Sequence, residues 1–458
     1  MWAAVAALTL VGLGLRIAAA RGGMWTDEAW SVVNAAQARD PLGVFLRINH
    51  DNNHHLNSLW LQAVGVHASP ILARAPAVLA GTLAIPTAAS LFARRSAAGA
   101  IAAAALFAIS PIMVIYGSEA RGYSSMMLAM LFMTLLTTNA VEGRVSGATP
   151  WLIALTAALG VLSHLTMLAP VALLSLWVYL ERRSSVGLSD AVSDALTLMG
   201  PALVASAAML LLVLIPAIVS PTGLQTGGYN PFNFQNYIVG LSNMESWTVG
   251  WTFPTRWLAI IPLLGIGLAA LVRRPIAMDS GPRSRLYGIL ITGVPLVIFV
   301  ERIGNAQFAR FFLCSAIALL LLGAEWAAQA AKGNRTNRVL CTTASLLFVL
   351  TAFSHDRRFL ELARGQPERA IQLMEGEAPR GAPVDIHTHM LVAPMIVAAE
   401  QADYPLAQAE GCAPAKFMIV ARDALSTPDI MRCGRRMRAI GWSDATDLTG
   451  DAWVLYAA

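Results

Sequence analysis

Long apolar runs recur along the first three quarters of the chain and alternate with short polar segments. A run of about 20 apolar residues can cross the hydrocarbon core of a bilayer as a helix. We predict about eleven such helices, near residues 2–20, 70–93, 97–115, 124–140, 150–163, 165–180, 196–219, 257–272, 286–300, 311–330 and 339–353. The pattern is that of a polytopic α-helical membrane protein. The first run lacks a charged leading segment and contains Arg16, so we expect a retained helix and not a signal peptide.

The composition supports this class. Of the 458 residues, 56% are hydrophobic and 13% are charged, which is more apolar and less charged than an ordinary soluble domain. Arginine supplies nearly all of the positive charge, since Lys332 and Lys416 are the only lysines, and with the abundant alanine this indicates a bacterial source. The arginines cluster in alternate loops, as expected of cytoplasmic loops and not of a nucleic-acid-binding surface. We therefore predict a multi-pass protein of the bacterial cytoplasmic (inner) membrane.

The carboxyl-terminal quarter of the chain differs in composition. Residues 355–458 are more charged and are interrupted by proline and glycine, and they are numerous enough for a small domain. Apolar runs at 384–386, 417–420 and 453–456 predict strands, whereas residues 391–402 and 428–440 predict helices. We therefore predict a membrane domain of residues 1–354 and a small α/β domain of residues 355–458. An odd number of spans places that domain on the extracytoplasmic (periplasmic) side.

Two adjacent acids, Asp27 and Glu28, follow the first predicted span and open an outside loop of residues 21–69. A carboxylate near a membrane surface is costly unless it is paired, solvated or used in chemistry. One interpretation is therefore a catalytic acid pair. The other is helix capping, with Thr26 or Asp27 at the N-cap and Glu28 favoured by the helix dipole.

A dense polar run, residues 49–57, lies further along the same loop. Its Asn53, His54 and His55 side chains are candidates for binding a sugar or, with a carboxylate, a divalent metal ion. The spacing matches no specific metal template, so a metal cofactor is left open. An ordinary polar interfacial loop is the alternative interpretation.

The second outside loop is short and places Glu119 and Arg121 between Tyr116 and Tyr123. A guanidinium suits an anion such as phosphate, and a neighbouring glutamate can orient it. The alternative is a salt bridge within a belt of interfacial aromatic residues.

Taken in order, these motifs resemble those of the C superfamily of glycosyltransferases (GT-C). The nearest resemblance is to the bacterial relatives of the protein O-mannosyltransferases and of the lipid A aminoarabinose transferase. The matching residues are Asp27 with Glu28, His54 with Leu56, and Ser118-Glu119-Ala120-Arg121 with Tyr123. The resemblance covers roughly residues 1–350. His55 stands where family members usually have proline, and Arg310-Phe311-Phe312-Leu313 stands where many have Arg-Tyr-Leu.

The resemblance implies a GT-C fold and transfer of a sugar, with inversion, from a polyprenyl-phosphate donor to an extracytoplasmic glycan, lipid or protein acceptor. Asp27 then serves as general base beside Glu28, because the acceptor hydroxyl loses a proton as it attacks. The leaving phosphate needs cations. The donor-binding candidates are Arg121, Glu119, Tyr123, Arg302 and Arg310, and the sugar or acceptor candidates are Asn53, His54, His55 and His164.

Two other functions are compatible with a polytopic membrane protein. A lipid or glycolipid transporter or flippase, with Arg121 and Arg310 lining a lipid-phosphate path, is also polytopic. Its signature would be ionisable groups well inside the spans and internal repeats, and the sequence shows neither clearly. A non-catalytic scaffold is the second rival, against which the intact acids argue. Cys412 and Cys433 both lie in the carboxyl-terminal domain, so an oxidising exterior predicts a disulfide between them.

Overall fold

The computed structural model describes residues 1–225, 227, 230–250, 260–272, 283–422, 428–446 and 448–458. Its α-helices are α1 Trp2–Ala19, α2 Thr26–Gln37, α3 Pro41–Leu46, α4 His55–Val64, α5 Pro70–Ala73, α6 Ala75–Ser90, α7 Ala97–Ile109, α8 Pro111–Tyr116, α9 Tyr123–Val141, α10 Thr149–Ser163, α11 Leu168–Arg183, α12 Leu188–Val219, α13 Phe234–Val249, α14 Ile260–Val272, α15 Arg283–Val300, α16 Leu313–Lys332, α17 Arg335–Leu362, α18 Pro367–Glu377 and α19 His389–Gln401. Short 3₁₀ turns occupy Leu165–Met167, Ala309–Phe312 and Ala363–Gly365.

Each predicted apolar run coincides with helix in the described residues, although the run at 257–272 begins outside them. Seven described helices are long and apolar enough to cross a membrane: Trp2–Ala19, Tyr123–Val141, Leu165–Arg183, Leu188–Val219, Arg283–Val300, Ala309–Lys332 and Arg335–Gly365. The apolar helices α6, α7 and α10 are shorter. The chain therefore has the predicted polytopic helical fold.

The predicted span at 97–115 is a broken helix. Proline disfavours helical backbone at the residue before it, and Ser110, which precedes Pro111, is extended with ψ 125°. The buried Arg16 of α1 donates to carbonyls on both sides of this break, at 2.9 Å to Phe107 and 3.2 Å to Met113. The charge inside the first span thus satisfies helix ends that lipid could not.

The carboxyl-terminal unit is built on a six-stranded mixed sheet in the order β2-β1-β3-β6-β5-β4. The strands are β1 Ala382–Ile386, β2 Leu406–Gln408, β3 Phe417–Ala421, β4 Asp429–Arg432, β5 Arg435–Ser443 and β6 Trp453–Ala457. β1 runs parallel to β2 and β3, whereas β3, β6, β5 and β4 pair antiparallel. Helices α18 and α19 supply Met374 and Met395 to the core on one face. The small α/β domain that the sequence predicts is therefore present.

One detail of that domain differs from the sequence predictions. The helix predicted at 428–440 is wrong, because this segment is the β4–β5 hairpin, which turns through positive φ values at Cys433 (47°) and Gly434 (82°). Glycine at a turn favours this left-handed backbone, which no helix contains. The predicted boundary at residue 355 lies within α17, which continues to Leu362. A disulfide joins Cys412 to Cys433, with Cα atoms 5.8 Å apart.

The sheet domain packs directly against the loop of residues 21–69. Helix α19 lies on α2, where Ala393 and Val397 share a buried apolar cluster with Ala29 and Val32. This contact places the carboxyl-terminal domain beside the acid pair.

Candidate functional site

Helix α2 begins at Thr26, one residue before the acid pair. Adjacent residues on a helix point about 100° apart, so the two carboxylates diverge. Asp27 points toward a partly open surface, and its side chain is 23% exposed, whereas Glu28 points inward and its side chain has no exposure.

Asp27 joins two arginines from distant parts of the chain. Its Oδ2 atom accepts from Arg121 Nη1 at 2.9 Å and from Arg310 Nη1 at 2.7 Å. Burial by itself would raise the pKa of Asp27, but the two guanidinium groups hold it below its ordinary value. Two cations share one carboxylate oxygen here, and a second carboxylate, Asp51, interacts electrostatically with both Asp27 and Arg121.

Arg121 lies deepest in this cluster, with a side chain only 5% exposed. Its Nη2 atom donates to Asn52 Oδ1 at 2.7 Å, and its guanidinium lies 4.9 Å from the ring centroid of Tyr123. The buried Nε atom has no hydrogen-bond partner among the described residues. Since buried polar atoms are rarely left unpaired, this donor is a candidate contact for a ligand.

Arg310 completes the cluster from the short turn that precedes α16. Its side chain is 14% exposed and lies 4.1 Å from the ring centroid of Phe308. Arg302, the other predicted cation, is exposed at a turn with φ 49° and makes no ion pair with Asp27. The structure thus brings together Asp27, Arg121 and Arg310, but not Arg302.

Glu28 lies at the centre of a closed ionic network. Arg74 binds both of its oxygens, at 2.8 and 2.5 Å, and the backbone N–H of Ala120 donates at 2.6 Å. Arg364 approaches within 3.8 Å. Burial opposes ionisation, but these cations, Arg74 first, lower the pKa of Glu28. Arg74 also donates to the carbonyls of residues 20, 22 and 23, so the network fixes the chain on both sides of the acid pair.

Glu119 is fully buried. Its Oε1 atom accepts from Trp25 Nε1 at 2.7 Å and from Thr449 Oγ1 at 3.2 Å. Burial, together with the nearby Glu28, raises the pKa of this carboxyl despite Arg121. The structure places Glu119 between the first loop and the carboxyl-terminal domain, and it forms no hydrogen bond with Arg121 through its side chain.

His54, Tyr123 and His164 form an aromatic group beside Arg121. The ring of Tyr123 lies 5.4 Å from that of His54 and 4.3 Å from that of His164. His54 Nδ1 accepts from the Gly122 N–H at 2.9 Å, which places the proton of the neutral ring on Nε2. Burial lowers the pKa of His54 well below its usual range and that of His164 to about 3. Both rings are therefore neutral, polar neighbours of the cation cluster.

Asn53 and His55 have local structural partners. Asn53 Nδ2 donates to the carbonyl oxygens of Val44 and Ile48, at 2.8 and 3.1 Å. The His55 ring lies 5.0 Å from Phe45, and burial lowers its pKa to about 4. These contacts link α4 and the residues before it to α3 and the turn that follows α3.

Sequence reasoning missed several residues of the site. Asn52 orients both Arg121 and the Asp27 carbonyl, the latter at 2.8 Å. Arg74 and Arg364 neutralise Glu28, and Asp451 contacts the start of α2. Asn52 could have been found from its place in the polar run of residues 49–57. Arg74, Arg364 and Asp451 are distant from the acid pair in sequence, so no local pattern indicated them.

The described residues contain no group of three or more His, Cys, Asp or Glu side chains that could hold a metal ion. Asp27 is already paired with two arginines, whose positive charge opposes a cation at the same oxygen. Among the described residues, the side chains at this site therefore do not fit a divalent metal ion.

The chain matches no protein-family model and no curated protein. Solved structures of an oligosaccharyltransferase from the archaeon Archaeoglobus fulgidus are similar to it. The apo form is 13% identical, with 92% of this chain and 69% of that chain covered and a TM-score of 0.48. The enzyme AglB in complex with an inhibitory peptide and a dolichol-phosphate is 13% identical, with 87% and 63% covered and a TM-score of 0.47.

A third structure of the same enzyme, tethered to an acceptor peptide, is 15% identical and has a TM-score of 0.49, with 87% and 63% covered. The chain thus spans less than two thirds of the length of the second and third structures. Likeness at this level assigns neither a family nor an activity.

Proposed function

We propose that this chain is a membrane glycosyltransferase of the GT-C type that moves a sugar from a polyprenyl-phosphate donor to an extracytoplasmic acceptor. The observation that carries the proposal is the single Asp27 oxygen shared by Arg121 and Arg310. That cluster combines a carboxylate able to take a proton with two cations able to hold a phosphate. The resemblance of the three sequence motifs supports it independently.

The charges at the site suit a phosphate leaving group. Glu28 is neutralised by Arg74 and Arg364, so it does not compete for the two cations near Asp27. Two guanidiniums that converge on one carboxylate oxygen can attract an anion to the same place. Without a donor, Asp27 accepts hydrogen bonds from Arg121 and Arg310. A bound donor phosphate would accept those hydrogen bonds instead.

Asp27 is then the base. The acceptor hydroxyl attacks the anomeric carbon from the face opposite the phosphate, the new C–O bond forms as the bond to the phosphate oxygen breaks, and the configuration inverts. The hydroxyl proton passes to Asp27, and the electron pair of the broken bond stays on the phosphate. A bound phosphate raises the pKa of Asp27 by like charge, which makes it a stronger base than in the free enzyme.

The surroundings of the cluster supply the remaining roles. His54 and His164, neutral and next to Tyr123, can donate or accept hydrogen bonds with sugar hydroxyls. Apolar helices around the site would accommodate the polyprenyl chain and membrane lipids. The site and the carboxyl-terminal domain would lie on the periplasmic side, where the acceptor is a glycan, lipid or protein.

The rival transporter is not favoured by the one charged residue that the structure places inside the first span. Arg16 donates to backbone carbonyls of the broken helix, and such contacts serve structure and not a substrate path.

The test uses the purified chain in lipid nanodiscs with a panel of polyprenyl-phosphate-linked hexoses and pentoses and a cell-envelope extract as acceptor. We expect release of free polyprenyl phosphate, measured by mass spectrometry. Asp27→Asn should lower the rate on the order of 100-fold, because asparagine keeps the shape but not the basicity. Equal release by the wild type and Asp27→Asn would refute the assignment, and transbilayer movement of intact donor without cleavage would favour a transporter.

A further inference from the structure

Helix α2, which carries Asp27, has no N-cap from its own segment. The N-cap position is occupied by Trp25, whose side chain makes no capping hydrogen bond. The cap comes instead from Asp451 of the carboxyl-terminal domain, whose Oδ2 atom accepts from the Thr26 N–H at 2.7 Å. A helix start normally takes its cap from the adjacent chain, so this start depends on a residue 425 positions away.

The loop that carries Asp451 is held in place on both sides. Thr449 Oγ1 donates to Glu119 at 3.2 Å, and the N–H of Asp451 itself donates to the Arg364 carbonyl at 3.4 Å. Just beyond the loop, Trp453 Nε1 donates to the Gly365 carbonyl at 2.6 Å. The cap is thus part of a docked loop and not a mobile surface side chain.

The hydrogen bonds around Thr26 bear on the protonation state of this cap. Thr26 Oγ1 lies 2.6 Å from the Met390 carbonyl oxygen and 2.7 Å from Asp451 Oδ1. A hydroxyl has one hydrogen to donate, and a carbonyl can only accept. If Thr26 donates to Met390, the second contact is a hydrogen bond only when Asp451 carries the proton and donates to Thr26.

The charges around Asp451 favour the same state. Asp27 and Glu28 lie on the helix that it caps, and Glu119 faces its loop across the contact with Thr449. Arg364 accepts a hydrogen bond from the Asp451 N–H through its backbone carbonyl, whereas its guanidinium lies against Glu28 and the Ser118 backbone. Burial is the largest cause that raises the pKa of Asp451 to about 7; the hydrogen bonds from Thr26 lower it, and the charges of Asp27 and Glu28 raise it further.

We propose that Asp451 is a positioning residue whose protonated carboxyl holds the first turn of α2 and so keeps Asp27 between Arg121 and Arg310. The positioning of a catalytic base rests on the proposed function, whereas the protonated cap does not. Loss of the proton replaces a donated hydrogen bond with a charge beside two carboxylates, which loosens the start of α2. The carboxyl-terminal domain then acts on the site without touching the substrate.

The chain offers a direct set of variants. Asp451→Asn keeps one acceptor for the Thr26 N–H and one donor for the Thr26 hydroxyl, so it mimics the protonated acid at every pH. Asp451→Ala removes both contacts. Asp444→Asn, an exposed carboxylate in the same loop region, is the matched control.

Two measurements need no substrate. By infrared difference spectroscopy, wild type minus Asp451→Asn should show a protonated carboxyl band at pH 6 that fades by pH 8. By hydrogen exchange, the first-turn amides of α2 should exchange about tenfold faster in Asp451→Ala, the usual cost of a lost cap, and at the wild-type rate in Asp451→Asn. No carboxyl band, or equal exchange in Asp451→Ala and the control, would overturn the proposal.

A third measurement links the cap to the site. Affinity for polyprenyl phosphate should fall between pH 6 and pH 8 more steeply in the wild type than in Asp451→Asn, and the comparison cancels the titration of the lipid phosphate itself. Parallel pH profiles would contradict positioning of the cluster by Asp451. If neither protein bound polyprenyl phosphate, the proposed function would fail while the infrared and exchange results still decided the state of the cap.

Discussion

Asp27 and Glu28 are neighbours in the chain, yet the structure gives their carboxylates opposite surroundings. Asp27 is partly exposed, and its Oδ1 atom accepts no hydrogen bond from the described residues. Glu28 is wholly buried, with both oxygens bound by Arg74 and a third bond from the Ala120 N–H. Asp27 is available to a ligand, whereas Glu28 is fully occupied by the ionic network that holds the loops of the site. Divergence of adjacent side chains on a helix makes this division possible.

Replacing Glu28 should have the largest effect on stability. Glu28→Gln keeps the shape but leaves two buried guanidiniums without their carboxylate, which costs about 3–5 kcal/mol in comparable buried pairs. We expect a much lower thermal unfolding temperature in detergent, measured by scanning fluorimetry. The control is Glu361→Gln, which removes a surface ion pair with Arg357 and should change nothing measurable. Equal stability of the two variants would show that Glu28 is not the structural acid.

Replacing either arginine of the cluster should weaken donor binding while the fold survives. Arg121→Lys and Arg310→Lys keep the charge but lose the planar guanidinium, so affinity for polyprenyl phosphate should fall about tenfold or more. The measurement is a titration of the purified protein with polyprenyl phosphate. Arg302→Lys, at an exposed turn, is the matched control and should bind normally. A loss with Arg302→Lys as large as with Arg310→Lys would move the phosphate site to the exposed turn.

Acid should destabilise the chain through both members of the pair. Their folded pKa values lie below those of the unfolded chain, so the unfolded state binds more protons as the pH falls. The stability that they contribute is complete above their unfolded pKa values, near pH 4, and is lost as the pH falls through the folded values. The contribution of ionised Asp27 to stability is measured as the difference between the unfolding temperatures of the wild type and Asp27→Asn. This difference should become smaller from pH 5 to pH 3. A constant difference would show that the arginines do not hold Asp27 ionised.

Much of the membrane fold was predictable because the bilayer imposes a length and a polarity on each span. Within the described residues the eleven apolar runs coincide with helix, although the backbone before Pro111 breaks one of them. The sequence predictions fail where tertiary contacts, and not local sequence, determine the secondary structure. Residues 428–440 have an apolar spacing that suggests a helix, but they pair along the edge of the sheet and turn at Cys433 and Gly434.

The candidate site was predictable only in part, for a related reason. Asp27 and Arg121 are identifiable because charged residues beside apolar spans are rare and need a partner. The different surroundings of Asp27 and Glu28 were not predictable, because they depend on Arg74, Arg364 and Asp451, which are distant in the chain. Local sequence describes a helix start well, but it cannot reveal a cap supplied by another domain.

The most direct test of the central claim is the affinity of Asp27→Asn for polyprenyl phosphate, measured by titration beside the wild type and Arg121→Ala. If Asp27 occupies the arginines in the absence of donor, removing its charge frees them, and binding should tighten several-fold while Arg121→Ala abolishes it. The control Asp444→Asn should bind as the wild type does. Weaker binding by Asp27→Asn, or unchanged binding by Arg121→Ala, would contradict a shared site for the base and the donor phosphate.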